Sequence, residues 1–197
     1  MDKLLESGLN RLAQHLDNGE AMAIVSAFRS ELPLSVNREN TERLRKMALT
    51  AGFGYVKSIG GYVEKVDNKD VAVEEESTII YAPKGLEKSL LTFAMGMGIK
   101  YNQDSILWVD THGKAQWIAT RDDSSIGKIN SKLNLGSFNV LDTQKYYTKV
   151  GKKKFIFKSL EECSPRKPTF VEYAVFDSLR ECLNSGNYEK FASLIKD

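Results

Sequence analysis

What most limits the fold of this chain is the order in which its hydrophobic periodicity changes along the sequence. A compact apolar run from Ala21 to Phe28 reads as a buried strand, and Pro33 breaks the chain after it. Helical spacing follows from about Arg38 to Thr50, with Leu44, Met47, Ala48 and Ala51 on one face and Asn37 as the expected N-cap. Period-two patterning then covers Tyr55 to Lys65 and Val71 to Tyr81, joined by the turn Asp67-Asn68-Lys69-Asp70, with a bulge expected at Gly60-Gly61. A second helical face carries Leu86, Leu90, Leu91, Ala94 and Met97. Two short strands, 105–109 and 115–119, close the series around Asp110 to Lys114. This order predicts an α+β fold in which a mixed sheet has the split βαβ arrangement of ferredoxin-like proteins.

Helical additions are expected at both ends. Leu4, Leu5, Leu9, Leu12, Ala13 and Leu16 give an N-terminal helix over 1–18, stopped by Asn18-Gly19. Thr169 and Glu172 make a capping box ahead of the stripe Val171, Ala174, Val175, Leu179, Cys182 and Leu183, and Asn187 starts a short last helix. The expected organisation is one domain over 1–197. Its core βαββαββ covers 21–120, a loop and basic edge segment 121–167, and C-terminal helices 168–197. Within the middle segment Arg121 to Asn134 reads as surface loop, and Phe138–Val140 and Lys154–Lys158 as edge strands.

Composition narrows the chemistry. Lys+Arg 28 against Asp+Glu 26 gives a net charge of +2, too balanced for a protein that coats nucleic acid. Two cysteines, Cys163 and Cys182, exclude a disulfide framework, and two histidines, His15 and His112, exclude most histidine-centred metal chemistry. No stretch approaches the ~20 apolar residues of a membrane span, and the first residues lack a signal-peptide layout, so a cytoplasmic location is expected. P-loop, G-x-G-x-x-G, H-E-x-x-H and G-x-S-x-G motifs are absent. No metal, no cofactor and no membrane partner are expected, and the balance leans away from an enzyme.

Three clusters remain as candidate sites. Tyr62 and Glu64 on one strand face Glu74, Glu75 and Glu76 on the next; paired carboxylates split their pKa values, and Glu64 with Glu76 are the candidate catalytic acids if there is a reaction. Arg29 ends the first strand near Asn37, and with Tyr62 these form a candidate ligand site, an arginine fork being suited to phosphate or carboxylate. Finally Lys145, Tyr147, Lys149, Lys152, Lys153, Lys154 and Lys158 form a basic, aromatic-interleaved patch for a nucleic acid or another partner. Alternation equally lets Phe155 and Phe157 point into a core while the lysines are merely solvated.

The run AIVSAFR (23–29), Asn37 and Asn40, Gly52-Phe53-Gly54-Tyr55, Gly61-Tyr62-Val63-Glu64, Glu75-Glu76-Ser77, and Tyr101 with Gln103-Asp104-Ser105 resemble small uncharacterised accessory proteins of tailed phages. A bacterial domain family of unknown function is similar over the first two thirds. The resemblance implies a phage-type protein in the bacterial cytoplasm that binds a host factor without catalysis, in host takeover or counter-defence. A host protein is then the favoured partner and nucleic acid the second choice. The alternative reading is an enzyme or sensor of a nucleotide or other phosphorylated small molecule, using Arg29 with Glu64 and Glu76.

Overall fold

The structure, a computed structural model, describes residues 11–66, 69–138, 149–150, 153–154, 161–163 and 181–195; of these, 59–74, 149–150, 153–154 and 161–163 are described as backbone. In chain order a helix α1 (11–17) precedes strand β1 (Met22–Ser26), helix α2 (Leu34–Thr50), strands β2 (Gly54–Val66) and β3 (Lys69–Tyr81), and helix α3 (Glu87–Lys100). Strands β4 (Ser105–Val109), β5 (Lys114–Ala119) and β6 (Lys132–Ser137) follow, then β7 (Lys149–Val150), β8 (Lys153–Lys154) and β9 (Glu161–Cys163), a helical turn α4 (181–185) and α5 (Tyr188–Leu194).

The main sheet has the order β6-β5-β4-β1-β3-β2-β9, and every neighbouring pair in it is antiparallel. β1 and β2 run the same way with β3 between them, and β3 and β4 run the same way with β1 between them. Each crossover helix therefore skips one strand, which is the expected split βαβ order. The parallel relations lie between strands that skip a neighbour, so the expected mixed sheet has only antiparallel ladders.

Alternation along the strands sorts the core into two layers. Ala23, Val25, Tyr55, Ile80, Ile106, Trp108 and Ile118 meet Leu44 and Ala48 of α2, Leu90, Phe93 and Met97 of α3, and Phe191 of α5. Met22, Val56, Ile79, Tyr81, Leu107 and Val109 face the other way and pack with Leu12 of α1. Fully burying one large apolar side chain contributes about 1.5–3 kcal/mol, so these two layers carry most of the stability. Phe93 sits at the centre of the first layer, with its ring 5.3 Å from Phe53 and 5.7 Å from Phe191, both edge-on. α5 can come this close because α3 presents Gly96 to it: a Cβ there would lie 2.4 Å from Phe191 Cδ1.

Several local expectations are corrected. β2 and β3 keep one unbroken register from Gly54↔Tyr81 to Val66↔Lys69, so Gly60-Gly61 forms no bulge and simply pairs with Glu75 and Glu74. The segment read as loop to Asn134 already contains β6 from Lys132, paired to β5 with an irregularity at Ala115/Gln116 beside Gly136, whose φ is +92°. Cys163, read as loop, lies on β9 opposite Tyr55. α2 begins at Leu34 with Pro33 at its N-cap, so Asn37 is not the cap. Asn187 does cap α5, accepting from Lys190 N at 2.9 Å. The expected helix over 169–180 and the edge segment 155–158 lie outside the described residues. Among the described residues no helix is long and apolar enough to cross a membrane.

Candidate functional site

β1 is 5 residues long while β2 and β3 are 13 each, so the β2–β3 hairpin runs on past the end of β1. Ser26, the last residue of β1, pairs with Ser77, and Ser77 pairs with Ser58 on β2. Three serines thus cross three strands where the inner sheet has apolar residues. Ser58 Oγ donates to Ser77 O at 3.0 Å, and Ser26 Oγ donates to Glu76 O at 3.2 Å while accepting from Phe28 N at 3.0 Å. Glu76 is the first residue of β3 beyond the last paired residue of β1. By alternation its side chain stands on the α2 side with Thr78 and Ile80, and Glu75 stands on the α1 side.

The wall behind Glu76 is α2. Asn37, Thr41 and Arg45 follow one another at four-residue intervals, so they form one line down the helix. All three are buried: Asn37 and Thr41 at 0% exposure and Arg45 at 3%. Arg45 Nη2 lies 3.2 Å from Glu76 Oε2 and Arg45 Nη1 lies 2.6 Å from Glu42 Oε1. The side chain of Glu76 is 37% exposed, so one end of this carboxylate is held from within the protein and the rest faces outward. Arg45 Nε and Thr78 Oγ1 are buried without a hydrogen-bond partner. Each such orphan costs about 1–3 kcal/mol, a cost that buried polar groups in a purely structural place seldom carry.

Asn37 ties the loop after β1 to this wall. Its Oδ1 accepts from Arg29 N at 2.8 Å, and its Nδ2 donates to Arg29 O at 2.8 Å and Leu32 O at 3.1 Å. Thr41 Oγ1 donates to Asn37 O at 2.8 Å. The Arg29 side chain is occupied: Nε and Nη2 reach Glu31 Oε1 at 2.7 and 2.6 Å, and Nη1 donates to the Asn102 carbonyl. Glu31 is held below the ordinary glutamate range by a hydrogen bond from its own backbone N–H and then by Arg29. Gln103 Nε2 donates to Phe28 O at 3.0 Å, and Asp104 accepts Ser125 N at 3.0 Å and Ser125 Oγ at 2.7 Å, so the α3–β4 connection closes the same rim. Beside it Arg121 pairs with Asp123 through Nε at 2.8 Å, which raises the arginine's pKa and lowers that of the aspartate.

The expected residues are thus partly assembled. Arg29 and Asn37 meet, through the Arg29 backbone rather than a shared ligand fork. Glu64 is opposite Val71 and Glu76 is opposite Ile59, five residues apart along β3. At strand rise that separation is about 17 Å, so Glu64 and Glu76 do not form a carboxylate pair. Tyr62 is placed by register opposite Val73, and its side chain lies outside what is described. Of the basic patch, Lys149, Lys153 and Lys154 appear as the backbone of the β7–β8 ladder. Lys145, Tyr147, Lys152 and Lys158 lie outside the described residues. His112 is in an exposed turn whose backbone is held by Asp110 Oδ1. Among the described residues no three His, Cys, Asp or Glu side chains are grouped closely enough to hold a metal ion. Reading the sequence missed Arg45, Thr41 and Glu42, although the four-residue spacing of Asn37, Thr41 and Arg45 on the face of Leu44 and Ala48 was a signal available to it.

Residues 23–158, more than half of the chain, match the family model described as the S-Adenosylmethionine lyase family. No curated protein matches the chain. The family match overturns the expected kinship with tailed-phage accessory proteins, and with it the reading as a non-catalytic host-binding factor in counter-defence. The residues that carried the phage resemblance explain the error: Ala23, Val25, Phe53 and Tyr55 are core, and a Cβ on Gly54 would lie 2.1 Å from the Tyr81 ring. They report how the sheet packs.

Proposed function

The chain belongs to the S-adenosylmethionine lyase family, and from that premise we infer that it cleaves S-adenosylmethionine at the sheet end around Glu76. The alternative drawn from the sequence, an enzyme or sensor of a nucleotide or other phosphorylated small molecule, was nearer than the main reading in being an enzyme, although this substrate carries adenosine without phosphate. The observation that carries the assignment is the Glu76 carboxylate, backed by buried Arg45 and half open to solvent in a rim of polar residues.

The reaction asks the protein for neither a nucleophile nor a metal. A sulfonium is already a leaving group, so the C–S electron pair returns to sulfur and leaves a neutral thioether. The vacated carbon is closed by a bond from the substrate's own carboxylate, or a neighbouring C–H bond breaks to form a double bond and its proton passes to water. No atom enters from outside. Because the positive charge on sulfur vanishes as the bond breaks, a carboxylate held against sulfur would favour the ground state over the transition state. Glu76 serves better at the α-ammonium group, a cation that survives the reaction, where it binds and orients the substrate. We read the protein as cytoplasmic, since the substrate is a charged metabolite that does not cross bilayers unaided and Cys182 is a buried free thiol.

The test is incubation of purified protein with S-adenosylmethionine in ¹⁸O-water, with products read by mass spectrometry. Lyase action gives two products whose masses sum to that of the substrate, with no heavy oxygen in either. Glu76→Gln is expected to lower kcat/KM by about 100-fold through loss of one charged contact. Intact substrate after prolonged incubation with folded protein, or heavy oxygen on the carbon that left sulfur, sinks the assignment, whereas label confined to the carboxyl group reports later opening of a lactone by water.

A further inference from the structure

We propose that Arg45 is a positioning residue of this site: it aims the Glu76 carboxylate at the substrate's cationic end and is retained for that purpose rather than for holding α2 to the sheet. The inference rests on the reading of Glu76 given above and extends it to a residue that touches no substrate.

Four observations lead there. The Arg45 side chain is 4% exposed, while its partners Glu42 and Glu76 are 63% and 37% exposed. A cation is thus buried beneath two carboxylates that could each be solvated without it. Next, the arrangement leaves Arg45 Nε and Thr78 Oγ1 buried and unpaired, so it is a poor way to pack a helix on a sheet. Replacing buried ion pairs by apolar side chains of similar volume is often neutral or stabilising, which removes stability as the reason for an arginine here. Third, Glu76 stands where β3 loses its β1 neighbour, so no cross-strand side chain from β1 can fix its rotamer there. The Nη2 contact at 3.2 Å holds its Oε2, while the side chain stays 37% exposed. Last, the same helix line anchors the Arg29 loop through Asn37, so the wall and the rim of the site are set by one rigid element.

Glu76 is expected to contribute to binding in both the ground and the transition state, so disturbing its aim raises KM more than it changes kcat. Arg45→Met should fold, because the two glutamates it releases can reach water. It should raise KM for S-adenosylmethionine about tenfold or more, with kcat within about threefold of wild type. Arg45→Lys keeps a cation beneath Glu76 but gives up the second nitrogen that holds Glu42, so it should recover part of that loss. Since Arg45 acts through Glu76, the double variant Arg45→Met/Glu76→Ala should be no worse than Glu76→Ala alone.

A purely structural arginine would instead lower the amount of active protein at unchanged KM, and its effect would add to that of Glu76→Ala. Either result in an active enzyme overturns the positioning role and leaves the function standing. If Arg45→Met fails to fold, the lysine variant decides: a loss there as large as that of Glu76→Ala, without rescue, also overturns it. A wild-type chain that neither binds nor cleaves S-adenosylmethionine overturns the function and this inference together.

Discussion

α2 and α3 occupy equivalent places in the fold, each crossing one face of the sheet between two strands that skip a neighbour, yet they bury different chemistry. α3 buries Leu90, Phe93, Ala94, Met95 and Met97, with Thr92 and two glycines as the remainder. α2 buries Asn37, Thr41 and Arg45 along with Leu44 and Ala48. The glycines of α3 admit close neighbours, Phe191 at Gly96 and Thr120 at Gly98, so this helix serves density. α2 gives up density along the line Asn37, Thr41 and Arg45 to hold a loop and a carboxylate. One layout thus yields a packing helix and a site helix, and the difference is set by three polar residues at a spacing of four.

Breaking the packing helix should cost most. Phe93→Ala removes the ring between Phe53 and Phe191 and is expected to destabilise by about 3–5 kcal/mol in denaturant unfolding. Activity per folded molecule should be unchanged; a shift in KM would show that α3 also shapes the site. Gly96→Ala comes next. Its Cβ meets the Phe191 ring, and the strain of about 1–3 kcal/mol should exceed the helix-propensity gain of about 1 kcal/mol. Amide exchange should show residues 188–194 losing protection ahead of the sheet. On the site helix, Asn37→Ala strips partners from Arg29 N, Arg29 O and Leu32 O, for a loss of about 1–3 kcal/mol if those groups stay dry. Here the comparison is sharpened if KM rises as well, which thermal melts read beside kinetics would separate.

The smallest effect should come from Glu31. Its pKa is depressed in the folded state, first by its own backbone N–H and then by Arg29, so these contacts add stability above 4.5, its ordinary value, and that stability is lost as pH falls through the lowered value. Melting temperatures of wild type and Glu31→Gln should differ slightly at pH 7 and converge below pH 4.5. A gap that widens in acid would mean that the Glu31 carboxylate is not held in the folded state.

The fold was legible because periodicity reports burial, and burial decides which face of a strand or helix is apolar. Ala23, Val25, Leu44, Ala48, Leu90 and Ala94 all sit in the core as that pattern implies. β6 and β9 were not legible, because both are edge strands: β6 has exposed or half-buried residues throughout, so no alternation marks it. Of the proposed site, only some residues drew notice in the sequence. Glu76 and Asn37 stood out as polar residues near strand ends, but their partners did not. Arg45 reads as one more charge on an amphipathic helix until the sheet brings Glu76 against it. Glu64 misled because a run of acids suggests proximity, while pairing register alone sets which of them meet. The scarcity of Cys and His argued against the commoner enzymes and is no obstacle to cleaving a bond whose leaving group is already charged.

The seat of Phe191 on Gly96 has a consequence for how the chain is made. The central layer stays open on the face of Phe93 until residues 182–195 arrive, and those residues lie beyond the stretch that matches the family. On the ribosome α5 has not yet been made when every strand of the main sheet has been synthesised. A nascent chain therefore displays an aromatic patch to chaperones and proteases until residues 182–195 have left the ribosome. Truncation after residue 158, which leaves the whole matched segment intact, would make that exposure permanent.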